Sequence, residues 1–148
     1  MKKRVVPILL TLLLLVACQS SKITTGVLEI KDAWARPAPT GDNGAVYLVI
    51  ENGTAQDEVL LSASSEVASA VELHMSEMDS DHMSMNHKDE IALPAGEATK
   101  FAPGGLHVML VGLTQELKVG DTFDVTLDFQ NAGEKAVTVT VMEDGSDE

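Results

Sequence analysis

Between Val27 and Met142 no window of the chain sustains a 3.6-residue apolar period; short apolar or alternating runs follow one another, each closed by turn residues. Candidate strands are Val27–Ala33, Ala45–Glu51, Glu58–Ser64, Ala70–Met75, Leu106–Val111, Phe123–Phe129 and Ala136–Met142, with weaker ones at Asp89–Leu93 and Thr99–Ala102. Asn52-Gly53, Pro103-Gly104-Gly105 and Gly120-Asp121 punctuate them with residues that tolerate turn geometry. The pattern is all-β, and seven to nine short strands make a sandwich or a small barrel. No internal repeat divides it.

The N-terminus belongs to a different regime. Lys2, Lys3 and Arg4 precede an apolar run from Val5 to Ala17, broken only by Pro7 and Thr11, and Cys18 follows. A helix needs about 20 apolar residues to span a bilayer, so this run reads as a secretory signal and not as a membrane span. Its ending, Leu15-Val16-Ala17-Cys18, resembles a bacterial lipobox, in which the cysteine is lipidated and becomes the first mature residue. The expected organisation is a signal at 1–17, a polar tether at 18–26, one β domain at 27–142 and an acidic tail at 143–148. The expected address is extracytoplasmic, with the chain held to a membrane through its lipid.

Charge narrows the partners. After position 17 the chain has seven basic and 23 acidic residues, a net charge of −16, which excludes nucleic acid as a partner. Cys18 is the single cysteine, so the domain has no disulfide and must be held by its core. The same absence removes a cysteine nucleophile and a blue-copper centre, which requires a thiolate. No Gly-x-Ser-x-Gly elbow or phosphate-binding glycine loop is present, so the chain does not read as an enzyme.

What stands out is where methionine and histidine fall. His74, Met75, Met78, His82, Met83, Met85 and His87 lie within fourteen residues, interleaved with Glu77, Asp79, Ser80, Asp81, Ser84 and Asn86. Methionine is ordinarily a flexible core filler, but a core segment would not alternate it with aspartate and serine. The polar, turn-prone stretch therefore reads as a metal-binding loop. His107-Val108-Met109 adds a second element: two apart on a strand, His107 and Met109 share a face, while Leu106, Val108 and Leu110 point to the core. Thioethers are soft donors and imidazole suits copper, so the set selects Cu(I) over zinc, calcium or magnesium.

These residues carry a resemblance. The chain resembles the periplasmic copper chaperones called PCu(A)C, whose pattern is a histidine, ten residues, a methionine, twenty-one residues, then His-x-Met. His74, Met85 and His107-Val108-Met109 stand at those spacings. The resemblance extends through Lys31–Arg36, Val46–Asn52, Val71–His74, Pro103–Leu110 and Val119–Asp121. It implies a cupredoxin-like, Greek-key β-sandwich and a Cu(I) site made by His74, Met85, His107 and Met109. It also implies delivery of copper to an acceptor such as an oxidase CuA domain or another copper chaperone. A passive copper-sequestering lipoprotein is the alternative. Two departures bear on stoichiometry. The acidic tail lacks the histidine-rich extension of some members, and His82 and His87 add imidazoles where the family often has glycine. With Met75, Met78 and Met83 they form the expected second site, for a second copper as Cu(II). Trp34 reads as a core anchor.

Overall fold

The computed structural model describes residues 22–79 and 82–143; the signal expected at 1–17, Cys18 and the end of the acidic tail lie outside them. Period-two alternation becomes strand wherever one face is covered. Along Thr122–Phe129, Phe123, Val125, Leu127 and Phe129 are buried while Thr122 and Asp124 face water.

Ten strands run through the described residues: β1 Leu28–Ala35, β2 Gly44–Asn52, β3 Glu58–Ser64, β4 Ala68–Asp79, β5 His82–His87, β6 Ile91–Leu93, β7 Ala98–Phe101, β8 Leu106–Leu113, β9 Thr122–Phe129 and β10 Gly133–Val141. Their order is β5-β4-β8-β2-β1-β10-β9-β3-β6, with β7 also pairing β2. The path folds into a β-sandwich. β4 and β8 are neighbours although three strands separate them in sequence, a Greek-key crossover. Apolar residues from both layers fill the interior, among them Val46, Leu48, Ile50, Leu60, Phe101, Val108, Leu110, Val125, Leu127, Phe129 and Val139.

Three local features differ from, or add to, the sequence reading. The stretch read as a donor-rich loop is a β-hairpin: β4 continues to Asp79 and β5 returns from His82 to His87. Every residue of β5 is exposed, so no apolar alternation marks it, and backbone pairing to β4 is what makes it a strand. Second, β1 bulges between Lys31 and Trp34, with Asp32 at φ 51°, and the extra residue brings Trp34 opposite Tyr47. Trp34 is consequently half-buried on the outer face of the sheet and is not a member of the core.

The third concerns the tether. Its described part docks on the domain: the Ile23 amide donates to the Gly96 carbonyl at 2.9 Å and the Gly26 amide to that of Gly53, also at 2.9 Å. A Cβ on Gly53 would collide with Thr25 and the Val27 carbonyl, so a glycine is required where these backbones meet. The chain thus enters the domain beside the Asn52 end of β2.

Candidate metal centre

Strand parity sorts the donors. On β4 the residues Glu72, His74, Ser76 and Met78 share one face, and the register sets His87 opposite His74, Met85 opposite Ser76 and Met83 opposite Met78. On the other side of β4, the register sets His107 opposite His74 and Met109 opposite Glu72. Their common face therefore carries His74, Met78, Met83, Met85, His87, His107 and Met109. Met75 and His82 fall on the opposite face, where Met75 pairs with Leu106 and His82 with Asp79. Of the residues expected in a second site, Met78, Met83 and His87 are brought to the main quartet, and Met75 and His82 are not.

The two inner histidines are differently buried from what an outward-facing strand suggests. His107 is 4 % exposed, and its ring lies between those of Tyr47 and His74, at centroid distances of 6.5 and 5.8 Å. The row continues in both directions: Trp34 to Tyr47 at 4.7 Å, and His74 to His87 at 5.6 Å. Five rings from five adjacent strands thus cross the sheet, with the Arg36 guanidinium 5.9 Å from the Trp34 ring centre.

Each inner imidazole is held by one nitrogen. His107 donates from Nδ1 to the Gly105 carbonyl at 3.0 Å, which leaves the lone pair on Nε2. His74 donates from Nε2 to a Glu72 carboxylate oxygen at 2.7 Å, so its lone pair is on Nδ1. That Nδ1 is buried and has no hydrogen-bond partner among the described residues. A buried polar atom without a partner is costly and uncommon. Both rings are therefore fixed in tautomer by an outer partner while keeping one free donor, the arrangement usual for metal-binding histidines.

A cleft of about 510 Å³ adjoins this row, lined by His107, Met109, Met83 and Met85 together with Tyr47 and Arg36. Met85 in its lining is 56 % exposed, while Met109 is half-buried. Two imidazoles with free lone pairs and two thioethers make a neutral, soft-to-borderline donor set with no thiolate. Glu72 was missed in the sequence, although the parity rule that paired His107 with Met109 applies equally to Glu72 and His74.

Fold and donor set together define a class of protein: a β-sandwich with methionines and imidazoles converging on one face near a sheet edge. Residues 28–141 match the family described as "Putative lipoprotein LpqE-like", and the chain belongs to that family. A relative from Leifsonia xyli subsp. xyli, "Putative lipoprotein Lxx21020", is 30 % identical over 115 residues, 77 % of this chain and 69 % of its own length. "Uncharacterized protein RP573" of Rickettsia prowazekii is 30 % identical over 116 residues, 75 % of this chain and 64 % of its own length. Among solved structures, the copper-bound PCuAC domain from PmoF2 superposes with a TM-score of 0.67 at 26 % identity, covering 83 % of this chain and 98 % of that domain. The solution structure of CuI-DR1885 from Deinococcus radiodurans gives 0.62 at 26 % identity, covering 86 % of this chain and 83 % of that one. The cupredoxin-like sandwich expected from the resemblance is the fold of this chain.

Proposed function

We propose that the protein binds Cu(I) as cargo through His74, Met85, His107 and Met109 and passes it to a copper-accepting protein outside the cytoplasm. The observation that carries this reading is the pair of inner imidazoles 5.8 Å apart, each pinned by one nitrogen and offering the other, with His107 lining the same cleft as Met85 and Met109. Cu(I) is the common ion that favours such a set. Copper in the solved PCuAC domain and Cu(I) in DR1885 support the same reading.

Exposure of the site supports exchange with a partner. Thioethers bind without losing a proton, and the exposed Met85 is the ligand an incoming donor would replace first while His107 and Met109 keep hold. A sink would bury all of its ligands; this favours a chaperone over a sequestering protein. An oxidase CuA domain or another copper chaperone is the acceptor class that the resemblance implies.

Lipidation at Cys18 would hold the domain at a membrane, a reading that the lipoprotein relatives support. From Cys18 to the docked Ile23 the chain can reach at most about 18 Å. Ile23 docks at the Asn52 end of β2, whereas the cleft is lined from its Gly44 end. The anchored domain would therefore present its copper away from the bilayer.

The test is Cu(I) affinity by competition with a chromophoric chelator, in the parent and in Met109→Leu. Leucine keeps the volume and removes the sulfur. Affinity should fall by about tenfold or more with the fold unchanged. An unchanged affinity removes Met109 from the site. Transfer to an apo CuA domain faster than to a small chelator of matched affinity distinguishes chaperone from sink.

A further inference from the structure

The same sheet edge holds a second donor set of different chemistry. One ligand atom from each of Glu72, His74 and His87 lies within 4.8 Å of the others. A Glu72 carboxylate oxygen is 2.7 Å from His74 Nε2 and 3.9 Å from His87 Nδ1, and the two rings meet edge to face at 5.6 Å. This convergence is built by the fold: His87 is the register partner of His74, and Glu72 shares the face of His74 by parity. The other nitrogen of His87 lies 3.6 Å from the Asp89 carboxylate.

We propose that Glu72, His74 and His87 form a harder metal site for a divalent borderline cation, Cu(II) or Zn(II), which shares His74 with the Cu(I) site and is filled in its place. Two imidazoles and a carboxylate, with no sulfur, are the donors that Cu(II) and Zn(II) accept and that Cu(I) does not prefer. Donors around such an ion at about 2.0–2.2 Å stand roughly 3–4 Å apart. Reaching that from the present spacing takes only small side-chain movements. Glu72 and His87, 41 % and 54 % exposed, are free to make them while the more buried His74 stays fixed.

Exclusivity follows from imidazole chemistry. A neutral ring has one lone pair and one N–H. In the present tautomer the lone pair is on Nδ1, and Nε2–H donates to Glu72. To bind a cation with Glu72 and His87, His74 must offer Nε2, which moves its proton to Nδ1 and withdraws the lone pair proposed for Cu(I). The expected second copper is thus an alternative occupant and not an additional one, and its ligands are Glu72 and His87 in place of Met75 and His82. The exclusivity rests on the Cu(I) reading above; the site itself does not.

The experiment uses the full chain, with Cu(II) followed by its electron paramagnetic resonance spectrum, Cu(I) by chelator competition, and Zn(II) as a redox-inert competitor. His87→Ala should weaken Cu(II) and Zn(II) binding by about tenfold or more while Cu(I) affinity is retained, which also shows that the variant is folded. Glu72→Gln should weaken Cu(II) similarly, and Cu(I) should release bound Zn(II) one for one. Cu(II) and Zn(II) affinities unchanged in both variants overturn the site, and a protein holding Zn(II) and Cu(I) together overturns the sharing of His74. Met109→Leu separates the two readings: if it leaves Cu(I) binding intact while His87→Ala still weakens Cu(II), the Cu(I) ligand set fails and the harder site stands.

Discussion

The β9–β10 and β4–β5 hairpins are both antiparallel pairs with regular registers, yet they are stabilised in different ways. β9 and β10 bury Phe123, Val125, Leu127, Phe129, Val139 and Val141 in the interior, and their turn is tied down by a carboxylate from another strand. Glu58 on β3 accepts hydrogen bonds from the amides of Asn131 and Ala132 at 2.9 and 2.8 Å and from the Asn131 side chain at 3.2 Å. In β4–β5 only the inner strand reaches the core, through Leu73, and all of β5 is exposed. One hairpin spends its side chains on burial, whereas the other keeps them free for ligands. A strand with no buried side chain belongs to the low-stability end of a structure. That suits a segment carrying Met85, the ligand proposed to exchange first.

The largest effect that this contrast predicts is on stability. Phe129→Ala empties a fully enclosed position and should cost about 3–5 kcal/mol, while Met83→Ala on β5, 59 % exposed, should cost under about 0.5 kcal/mol. Denaturant unfolding of both variants measures this, and comparable losses would mean that β5 is part of the cooperative core. Amide exchange should agree, with β5 exchanging ahead of β9 and slowing when Cu(I) is added.

A smaller effect concerns the pinned turn. Burial works to raise the Glu58 carboxyl, but the hydrogen bonds from Val59, Asn131 and Ala132 outweigh it and hold the group below the usual carboxylate range. A depressed folded value stabilises the native state above the unfolded carboxylate value, near 4.3, and that contribution is lost as pH falls through the folded value. Glu58→Gln should therefore cost about 1.5–3 kcal/mol at neutral pH, the usual worth of hydrogen bonds to a charged group. The difference from the parent should shrink on acidification below that range. A difference that stays constant from pH 7 down to pH 3 would show that the charge contributes nothing.

The two hairpins also differ in how well the sequence announced them. Phe123–Phe129 alternates apolar and polar residues because one face is buried, and the strand was legible nearly to its ends. β3 was read with the bounds it has. His74–His87 has polar residues on both faces, so period-two reading had nothing to detect, and turn-prone serine and aspartate pointed to a loop. The quartet proposed for Cu(I) comes from spacing and resemblance, which record chemistry and not burial. Glu72 escaped because its role depends on a register: only when β5 pairs with β4 does His87 come to His74 and bring the carboxylate into a three-donor set. Trp34 was misplaced for a similar reason, because the bulge at Asp32 that turns it toward Tyr47 leaves no mark in hydrophobic pattern.

The smallest expected effect is the sharpest check on these faces. His82 and His87 begin and end the same six-residue strand, both exposed, and composition alone treats them as equals. Parity separates them: His87 lies opposite His74 on the donor face, while His82 pairs with Asp79 on the other face. His82→Ala should accordingly change neither Cu(I) nor Cu(II) affinity by more than about twofold, within the few tenths of a kcal/mol typical of a surface substitution. His87→Ala made beside it should lose Cu(II). A one-residue slip of β5 against β4 would exchange the faces of β5 and take His87 off the donor face. A His87→Ala variant that retains Cu(II), or a His82→Ala variant that loses it, would therefore show that the hairpin does not bind in this register.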